Sequence, residues 1–353
     1  MNYIIKDFNP EGGWHCITTA YKQIFHHYRY DISEEMLFGL ASGLGFVYFE
    51  IKKVPFPLIG GRTKIGEFEE TLGKNLGVEV NIQKTTSSKK AYDELLKMIC
   101  KDIPVVIYVD MAYLKYLGLP EEAHFGGHTI VVFGIDEDRQ LAYISDRDAK
   151  DFIITNSKDA EPPSDYHLLT LKELENARGS KYKPYPPENK WVTFDFSNMK
   201  KISEELIYDA IKKNMHQILN PPIKNVGIKG VKLFAEKVLD WERFDDDKLK
   251  WSALNSYIMI NKIGGNGGGI FRRMYGNFLK QCAEKIKTQS LNHYGELFIK
   301  LSCNWDDAGN LFLEVYNKTD RSLLNEISAR LDKIYLKEKD CLEGLNDEVI
   351  TKH

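Results

Sequence analysis

The sequence predicts an α+β protein in which a domain with an antiparallel sheet precedes an all-helical domain. Helical and strand-like segments alternate up to about residue 200, and almost every segment after Ser197 has a helical pattern. A polar turn over residues 136–140 joins two strand-like segments, which is typical of an antiparallel hairpin. The length of 353 residues favours two domains. We therefore expect domains at residues 1–198 and 199–353.

Helix-capping residues predict the first elements. Asp31 and Glu34 have the spacing of a capping box, and Gly77 suits the left-handed end of a helix. In chain order, the residue patterns predict helices over residues 17–29, from Asp31 toward Leu40 and over residues 66–76. A strand over residues 78–83 and a helix over residues 89–100 are predicted to follow.

β-Branched and aromatic residues predict the strands that follow. These strands cover residues 105–109, 129–135, 141–145 and 191–196. The C-terminal part has the periodicity of helices over residues 203–219, 229–241, 246–262, 269–287, 291–304 and 320–340.

The composition is that of a globular protein, with 43% hydrophobic and 28% charged residues. The net charge of −3 gives no overall basic surface, so we expect no nucleic-acid partner. The apolar runs fall short of the roughly 18 residues that a membrane span needs, and the N-terminal segment lacks a signal-peptide pattern. We expect a cytoplasmic protein without a membrane partner. Five scattered cysteines without a CxxC pattern argue against disulfides and a cysteine-based zinc site.

Cys16 follows two glycines and precedes the first predicted helix. A helix N-terminus lowers the pKa of a thiol, because unpaired backbone N–H groups and the helix dipole favour negative charge. Gly12 and Gly13 allow a sharp turn and a close backbone approach. Cys16 is therefore a candidate nucleophile, and the alternative is that it fills the core, as free cysteines often do.

A nucleophilic cysteine needs a base, and the base needs a group that orients it. His128 begins one strand of the predicted hairpin, and Asp146 directly follows the other. Because the start of one hairpin strand lies beside the end of its partner, these residues should be neighbours in space. Asp146 would then fix the imidazole tautomer of His128, as in a catalytic triad.

Each of the three residues also has a structural interpretation. His128 alone suits a hydrogen-bonded histidine at a strand start, and Asp146 alone suits the cap of a turn. His124 and His128 have the spacing of a metal-binding pair, but the glycines between them form a poor helix and no third ligand is evident. We therefore expect no metal site.

Several motifs resemble the butirosin biosynthesis protein H family. The N-terminal motifs are HCITTA, SEEMLFGLASGLGFVYF, IGGR, PVVIYVDMAYL, GGHTIVVFGID and ISDRD. The later GGNGGGIFRRMYGNFLKQCAE resembles the helical domain that commonly follows. The order of cysteine, histidine and aspartate also resembles the papain-like bacteriocin-processing peptidases. The resemblance implies a papain-like N-terminal domain with an antiparallel sheet.

The resemblance also implies an activity, that of a thiol-dependent acyltransferase in secondary metabolite biosynthesis. Its acyl donor would be a carrier-protein phosphopantetheine thioester, its acceptor a small amine, and no cofactor would be resident. Cys16 would be the nucleophile, His128 the base and Asp146 its partner. Papain-like enzymes usually place a glutamine about six residues before the cysteine, where this chain has Pro10. Asn9, one residue earlier, is the candidate oxyanion donor.

Weaker substrate-binding candidates lie elsewhere, each with a structural alternative. Asp110 and Tyr113 would hold an amine, although Asp110 also suits a helix N-cap. Tyr48 would shape an acyl pocket, and Arg62 would meet a carboxylate or phosphate. Asn266 and Arg272 flank a glycine run that would hold a pantetheine phosphate, the alternative being a hinge between helices.

Two further functions stay open beside acyl transfer. A cysteine peptidase or amidase of the same fold would use water as the acceptor, and a non-catalytic module would bind a small molecule or a carrier. The apolar stripe of the helix predicted over residues 320–340 would suit a homodimer.

Overall fold

The computed structural model describes residues 2–52, 54–64, 66–148 and 164–352. The fold is α+β, as the sequence predicts, with an antiparallel sheet in the N-terminal region and a helical C-terminal region. No helix of these residues combines the length and the apolar character that crossing a membrane requires.

The described strands, in chain order, are β1 (Asn2–Ile4), β2 (Leu44–Phe49), β3 (Leu58–Arg62), β4 (Glu79–Gln83), β5 (Val105–Val109), β6 (His128–Asp136), β7 (Leu141–Ser145), β8 (His167–Thr170) and β9 (Trp191–Asp195). The α-helices are α1 (Cys16–His27), α2 (Glu34–Leu40), α3 (Glu67–Leu76), α4 (Ser88–Ile99), α5 (Leu171–Gly179), α6 (Glu204–Leu219), α7 (Gly227–Lys237), α8 (Asp246–Ile260), α9 (Arg272–Ile286), α10 (Gln289–Lys318) and α11 (Leu323–Lys352). Short 3-10 helices cover Met111–Tyr113, Lys115–Leu117, Val238–Arg243 and Lys262–Gly264.

The main sheet is antiparallel and runs in the order β4-β9-β5-β6-β7-β8, with β1 paired to the second half of β6. The predicted hairpin is confirmed, since β6 and β7 pair and Val131 lies opposite Ser145. A register shift between Val132 and Gly134 interrupts this pairing. Every residue of β6 is buried, including its first residue, His128.

Helix α1 packs against β6 and is buried on most of its circumference. Ile17, Ala20, Ile24 and Phe25 are each at most 2% exposed. Such a helix takes its stability from packing rather than from intrinsic propensity. Its N-terminal residue, Cys16, is therefore held by the sheet as well as by the preceding turn.

The chain forms two compact units, and neither is continuous in sequence. The first unit comprises Met1–Leu37 and Val78–Asn198, and the second comprises Phe38–Gly77 and Met199–His353. The division into domains 1–198 and 199–353 stays a prediction, which truncation after residue 198 tests.

The second unit joins the β2–β3 hairpin and α3 to the C-terminal helices. Phe234 stacks on Phe312, and Phe46 from β2 stacks on Trp305 from α10. Asn214 of α6 donates to the carbonyl oxygens of Ser42 and Leu44 at 3.2 and 2.6 Å. These contacts attach the hairpin to the helices through both apolar and polar interactions.

Some elements differ from the sequence predictions. Strands β1, β2, β3 and β8 and helix α5 were not predicted, although Thr170 and Glu173 form a capping box that announces α5. Helix α9 begins at Arg272 instead of residue 269, because Gly269, Ile270 and Phe271 have positive φ angles. Helices α10 and α11 extend well beyond the predicted ends, to Lys318 and Lys352.

Candidate active site

Cys16 is the first residue of α1, and His15 is its N-cap. The Thr18 N–H donates to His15 Nδ1 at 3.4 Å, which satisfies one of the amides at the start of the helix. Cys16 is half-buried, whereas the thiols of Cys282 and Cys341 are buried. The candidate nucleophile therefore lies at a helix N-terminus with part of its surface exposed.

His128 and Asp146 form a buried pair at the end of the β6–β7 hairpin. His128 Nε2 lies 2.9 Å from Asp146 Oδ1 and 2.8 Å from Oδ2. The two side chains are 3% and 0% exposed. The side chain of His128 also acts on the Cys16 thiol and lowers its pKa. The structure thus brings together the three residues that the sequence analysis selected.

The charges of this cluster favour a thiolate and an imidazolium. Burial alone would raise the pKa of Cys16, but the hydrogen bond and charge of His128, the charge of Arg147 and the Thr129 backbone lower it to about 7. Burial alone would lower the pKa of His128, but Asp146 and Cys16 raise it to about 10. At neutral pH, much of Cys16 is then ionised opposite a protonated His128.

Arg147 connects the turn before Cys16 to the Asp146 segment. The Gly13 N–H donates to Arg147 O at 2.8 Å, and Arg147 Nη1 donates to Trp14 O at 3.0 Å. The backbone N–H of Arg147 also donates to Asp146 Oδ1 at 2.6 Å. Arg147 is therefore a further residue of the candidate site, which the sequence did not single out although it directly follows Asp146 in the motif ISDRD.

Glu34 holds the same turn from the other side, and it is only 4% exposed. Its Oε1 accepts from the Trp14 N–H at 2.9 Å, and its Oε2 accepts from the His15 N–H at 3.2 Å. The hydroxyls of Thr18 and Thr19 donate to Oε2, each at 2.8 Å. One carboxylate thus fixes both the turn before Cys16 and the first turn of α1.

This arrangement corrects the predicted capping box of α2. Glu34 is the first residue of the helix, and its carboxylate is directed to the Cys16 turn. The Met36 N–H donates to the Ser33 hydroxyl at 3.1 Å, so Ser33 supplies the cap instead. Sequence spacing alone could not distinguish a local cap from a long-range contact.

Two family models match the chain. The model of Butirosin biosynthesis protein H, N-terminal, covers residues 15–147. The model of a Domain of unknown function (DUF4872) covers residues 172–345. The N-terminal part of the chain belongs to the butirosin biosynthesis protein H family. The first of the two matches contains Cys16, His128 and Asp146 and ends at Arg147.

Membership confirms the resemblance seen in the motifs. The family name indicates an enzyme of biosynthesis. No curated protein sequence matches the chain.

Asp110 has a structural role in place of the predicted amine-binding role. It is fully buried and accepts hydrogen bonds from the Phe125 N–H at 2.9 Å, the Ser180 hydroxyl at 2.6 Å and His124 at 2.9 Å. Its side chain also caps the 3-10 helix that begins at Met111. Four donors occupy the carboxylate, so a substrate amine would have to displace one of them. Tyr113 lies nearby, and 5.9 Å separates the centroids of the Tyr113 and His124 rings.

The other predicted binding residues lie in the second unit, except for Asn9, which is exposed between β1 and α1. Tyr48 is 2% exposed, and its hydroxyl donates to Glu50 at 2.8 Å. This burial gives Tyr48 a packing role in place of the predicted acyl pocket. Arg62, at the end of β3, lies over the Phe68 ring at 5.5 Å.

The glycine run is a packed turn, which corrects both the predicted phosphate site and the hinge. Asn266 is buried, donates to the carbonyls of Met259 and Asn261, and accepts from the Gly268 N–H. A Cβ on Gly269 would lie 2.3 Å from Ser302 Cα. The chain therefore needs glycine here for close packing.

Arg272 is an internal ion-pair residue instead of a phosphate ligand. It is 0% exposed, and its Nε donates to both carboxylate oxygens of Glu338 at 3.2 Å. Its Nη1 donates to Gly45 O and Ile270 O at 3.0 and 2.8 Å. A guanidinium paired in this way supports the fold of the second unit.

The described residues contain no group of three side chains arranged to hold a metal ion. His124 and His128, the histidines with metal-like spacing, each bond a different aspartate.

Proposed function

We propose that this chain is a thiol-dependent acyltransferase that works through an acyl-Cys16 intermediate. One observation carries the proposal: a half-buried cysteine stands at a helix N-terminus beside the His128–Asp146 pair, and although burial raises the pKa of Cys16, His128, Arg147 and the Thr129 backbone lower it to about 7. Cysteine is activated in this way in papain-like enzymes that form acyl intermediates. Family membership favours a biosynthetic transfer over hydrolysis.

In the first half-reaction, the Cys16 thiolate attacks the carbonyl carbon of an acyl thioester. The carbonyl π bond breaks to give a tetrahedral oxyanion, which then re-forms the carbonyl and expels the donor thiolate. His128 transfers its proton to that leaving thiolate. The products are a thioester on Cys16 and the free donor thiol.

In the second half-reaction, an amine attacks the acyl-Cys16 carbonyl. His128, now neutral, accepts the proton that the amine loses, and the carbon–sulfur bond to Cys16 breaks. An amide leaves, and the thiolate–imidazolium pair is restored. Asp146 keeps the imidazole oriented through both halves of the cycle.

The oxyanion needs hydrogen-bond donors close to the nucleophile. Backbone N–H groups in the first turn of a helix have no intrahelical acceptor, and Cys16 is the first residue of α1. We therefore assign the Cys16 N–H as one donor. Asn9 stays the candidate for a second.

The donor we propose is a phosphopantetheine thioester on an acyl carrier protein, and the acceptor is a small amine. Exchange between thioesters needs little thermodynamic driving force, so a carrier thioester can load Cys16. The chain itself needs no resident cofactor for this chemistry.

The test is intact-protein mass spectrometry after brief incubation with simple acyl thioesters. We expect a mass gain equal to the acyl group in the unaltered protein, no gain in Cys16→Ala and a slowed gain in His128→Ala. Cys303→Ala removes an exposed thiol and is the matched control, for which we expect an unchanged gain.

Small amines are then screened for discharge of the adduct. Discharge to an amide supports the transferase. Discharge by water alone, in the presence of every amine, would assign a peptidase or amidase instead. A protein that forms no adduct and whose Cys16 is alkylated at an ordinary rate would be a binding module, and the proposal would be wrong.

A further inference from the structure

Asp146 has a hydrogen-bond donor that the catalytic scheme above does not use. The Tyr116 hydroxyl donates to Asp146 Oδ2 at 2.7 Å. That oxygen is the one that lies 2.8 Å from His128 Nε2. Tyr116 is 3% exposed and sits in the 3-10 helix Lys115–Leu117. The phenol and the imidazole therefore share one carboxylate oxygen.

The Tyr116 ring is fixed on its other side by a second histidine–aspartate pair. The His167 ring, from β8, stacks on Tyr116 with 3.8 Å between centroids and 8° between planes. His167 Nε2 lies 2.8 Å from Asp148 Oδ2. His167 and Asp148 are both buried, so the stack has little freedom to move. This packing orients the phenol oxygen of Tyr116 toward Asp146.

The charged groups around Tyr116 keep its hydroxyl protonated. Burial and the charges of Asp146 and Asp148 raise the pKa of Tyr116 well above its usual range, and the charge of Arg147 opposes this. A protonated phenol can only donate to a carboxylate that has no proton. The raised pKa of Tyr116 and the lowered pKa of Asp146 both favour this hydrogen bond, in which the phenol donates to the carboxylate.

We propose that Tyr116 is a positioning residue of the thiol site, which holds Asp146 in place and limits how strongly Asp146 attracts the His128 proton. The inference rests on the proposed function, because it assigns Tyr116 a role in the Cys16–His128–Asp146 chemistry. Tyr116 does not touch the reacting atoms in this scheme and acts through Asp146 alone.

The physical reason is competition for one oxygen. A donor that stabilises the carboxylate charge weakens the attraction of that carboxylate for the His128 N–H. Removing the hydroxyl should strengthen the Asp146–His128 interaction and raise the pKa of His128. Hydrogen bonds to charged groups and the free energy of one pKa unit are of similar size, so we expect a rise of up to about one pH unit.

The experiment measures the titration of His128 by nitrogen NMR on histidine-labelled full-length protein. The variants are Tyr116→Phe, Asp146→Asn and the double variant, with His128→Ala to assign the signal. Tyr275→Phe is the matched control, since Tyr275 is also buried and its hydroxyl has no hydrogen-bond partner among the described residues. Thermal unfolding and the alkylation rate of Cys16 are recorded for each variant.

We expect Tyr116→Phe to raise the His128 midpoint and Tyr275→Phe to leave it unchanged. On the Asp146→Asn background, Tyr116→Phe should have no further effect, because the pathway through Asp146 is gone. An unchanged midpoint in Tyr116→Phe, with only a lower melting temperature, would overturn the inference and leave Tyr116 a packing residue.

If Tyr116→Phe folds poorly, a second variant tests the inference, and for it we expect the His128 midpoint to shift in the opposite direction. Site-specific 3-fluorotyrosine at position 116 is a stronger donor and should lower the His128 midpoint. A rise or no change there would also contradict the inference. An ordinary alkylation rate of Cys16 in the unaltered protein would instead contradict the proposed function, so the two failures are distinguishable.

Discussion

The partners of Cys16 distinguish its chemistry from that of the buried cysteines. Burial raises the pKa of Cys341 to about 12 and raises that of Cys282 further. Burial has the same direction at Cys16, but His128 and Arg147 outweigh it and lower the pKa to about 7. The thiols of Cys282 and Cys341 therefore stay protonated near neutral pH, whereas much of Cys16 is ionised there.

The three candidate catalytic residues were predictable because each stands at an end of an element that the sequence marks. Glycines precede Cys16, and strand patterns begin at His128 and end before Asp146. Asp110 has the helix-capping role that the sequence offered as its alternative, but the sequence does not announce its partner Ser180 or the partner of Arg272, because these partners lie far along the chain. Ser180 and Glu338 lie 70 and 66 residues away, and nothing local announces them.

Arg147 provides a test at the level of a single residue. Its positive charge lowers the pKa of Cys16, so Arg147→Met should move the midpoint of iodoacetamide alkylation of Cys16 upward by about half to one pH unit. The plateau rate should also fall, because the bond from Nη1 to Trp14 O is lost. The alkylation rate across pH 5 to 10, mapped by peptide, measures both effects.

Arg147→Lys separates charge from hydrogen bonding. Lysine keeps the charge but not the planar guanidinium, so its midpoint should lie closer to that of the unaltered protein than that of Arg147→Met. Cys303, which is exposed, serves as the internal reference in the same digest. Equal midpoints for the two variants and the unaltered protein would show that the charge of Arg147 does not act on Cys16.

At the level of elements, the site depends on three segments that are far apart in sequence. The start of α1 carries Cys16, and the start of α2 carries Glu34. In the β6–β7 hairpin, His128 is the first residue of β6 and Asp146 directly follows β7. Antiparallel pairing brings the two hairpin ends together, and the Glu34 carboxylate attaches α2 to the Cys16 turn. The geometry of the thiol is thus set by how these elements meet.

Glu34 tests this attachment. Glu34→Ala removes a buried acceptor of four hydrogen bonds, and the donors left unpaired should lower the free energy of unfolding by about 3 to 5 kcal/mol. Glu34→Gln keeps one acceptor oxygen and should lower the free energy of unfolding by less. Denaturant unfolding measures both changes. The alkylation rate of Cys16 should fall more in Glu34→Ala than in Glu34→Gln.

Glu35→Ala is the matched control, since Glu35 is the neighbouring residue and is more exposed than Glu34. We expect its unfolding free energy to change by less than about 1 kcal/mol. A cost for Glu34→Ala no larger than that for Glu35→Ala would contradict the role of Glu34 in holding the turn.

At the level of the whole molecule, the second compact unit includes a segment from the N-terminal half. The segment Phe38–Gly77 belongs with the C-terminal helices. Its carbonyl oxygens at Leu44 and Gly45 accept hydrogen bonds from Asn214 and Arg272. The DUF4872 match covers most of those helices but does not include the segment.

Truncation tests whether residues 1–198 form an independent domain. In the fragment 1–198, the segment 38–77 loses the partners of its apolar and carbonyl groups, so we expect it to unfold and to be cut by protease. The full chain at equal protease concentration is the control, and there the segment should resist cleavage. A fragment 1–198 that resists protease within residues 38–77 would support the predicted domain at 1–198.

The sequence by itself determined the fold class, most helices and strands, the family and the three residues of the candidate catalytic cluster. These features depend on local periodicity, on caps and on motifs, all of which lie within short stretches of chain. Only the tertiary structure decided that Glu34, Arg147 and Tyr116 support the cluster and that Asp110 and Arg272 are internal. The physical reason is that a charged or polar side chain acts through the groups packed around it, and those groups come from residues far along the chain.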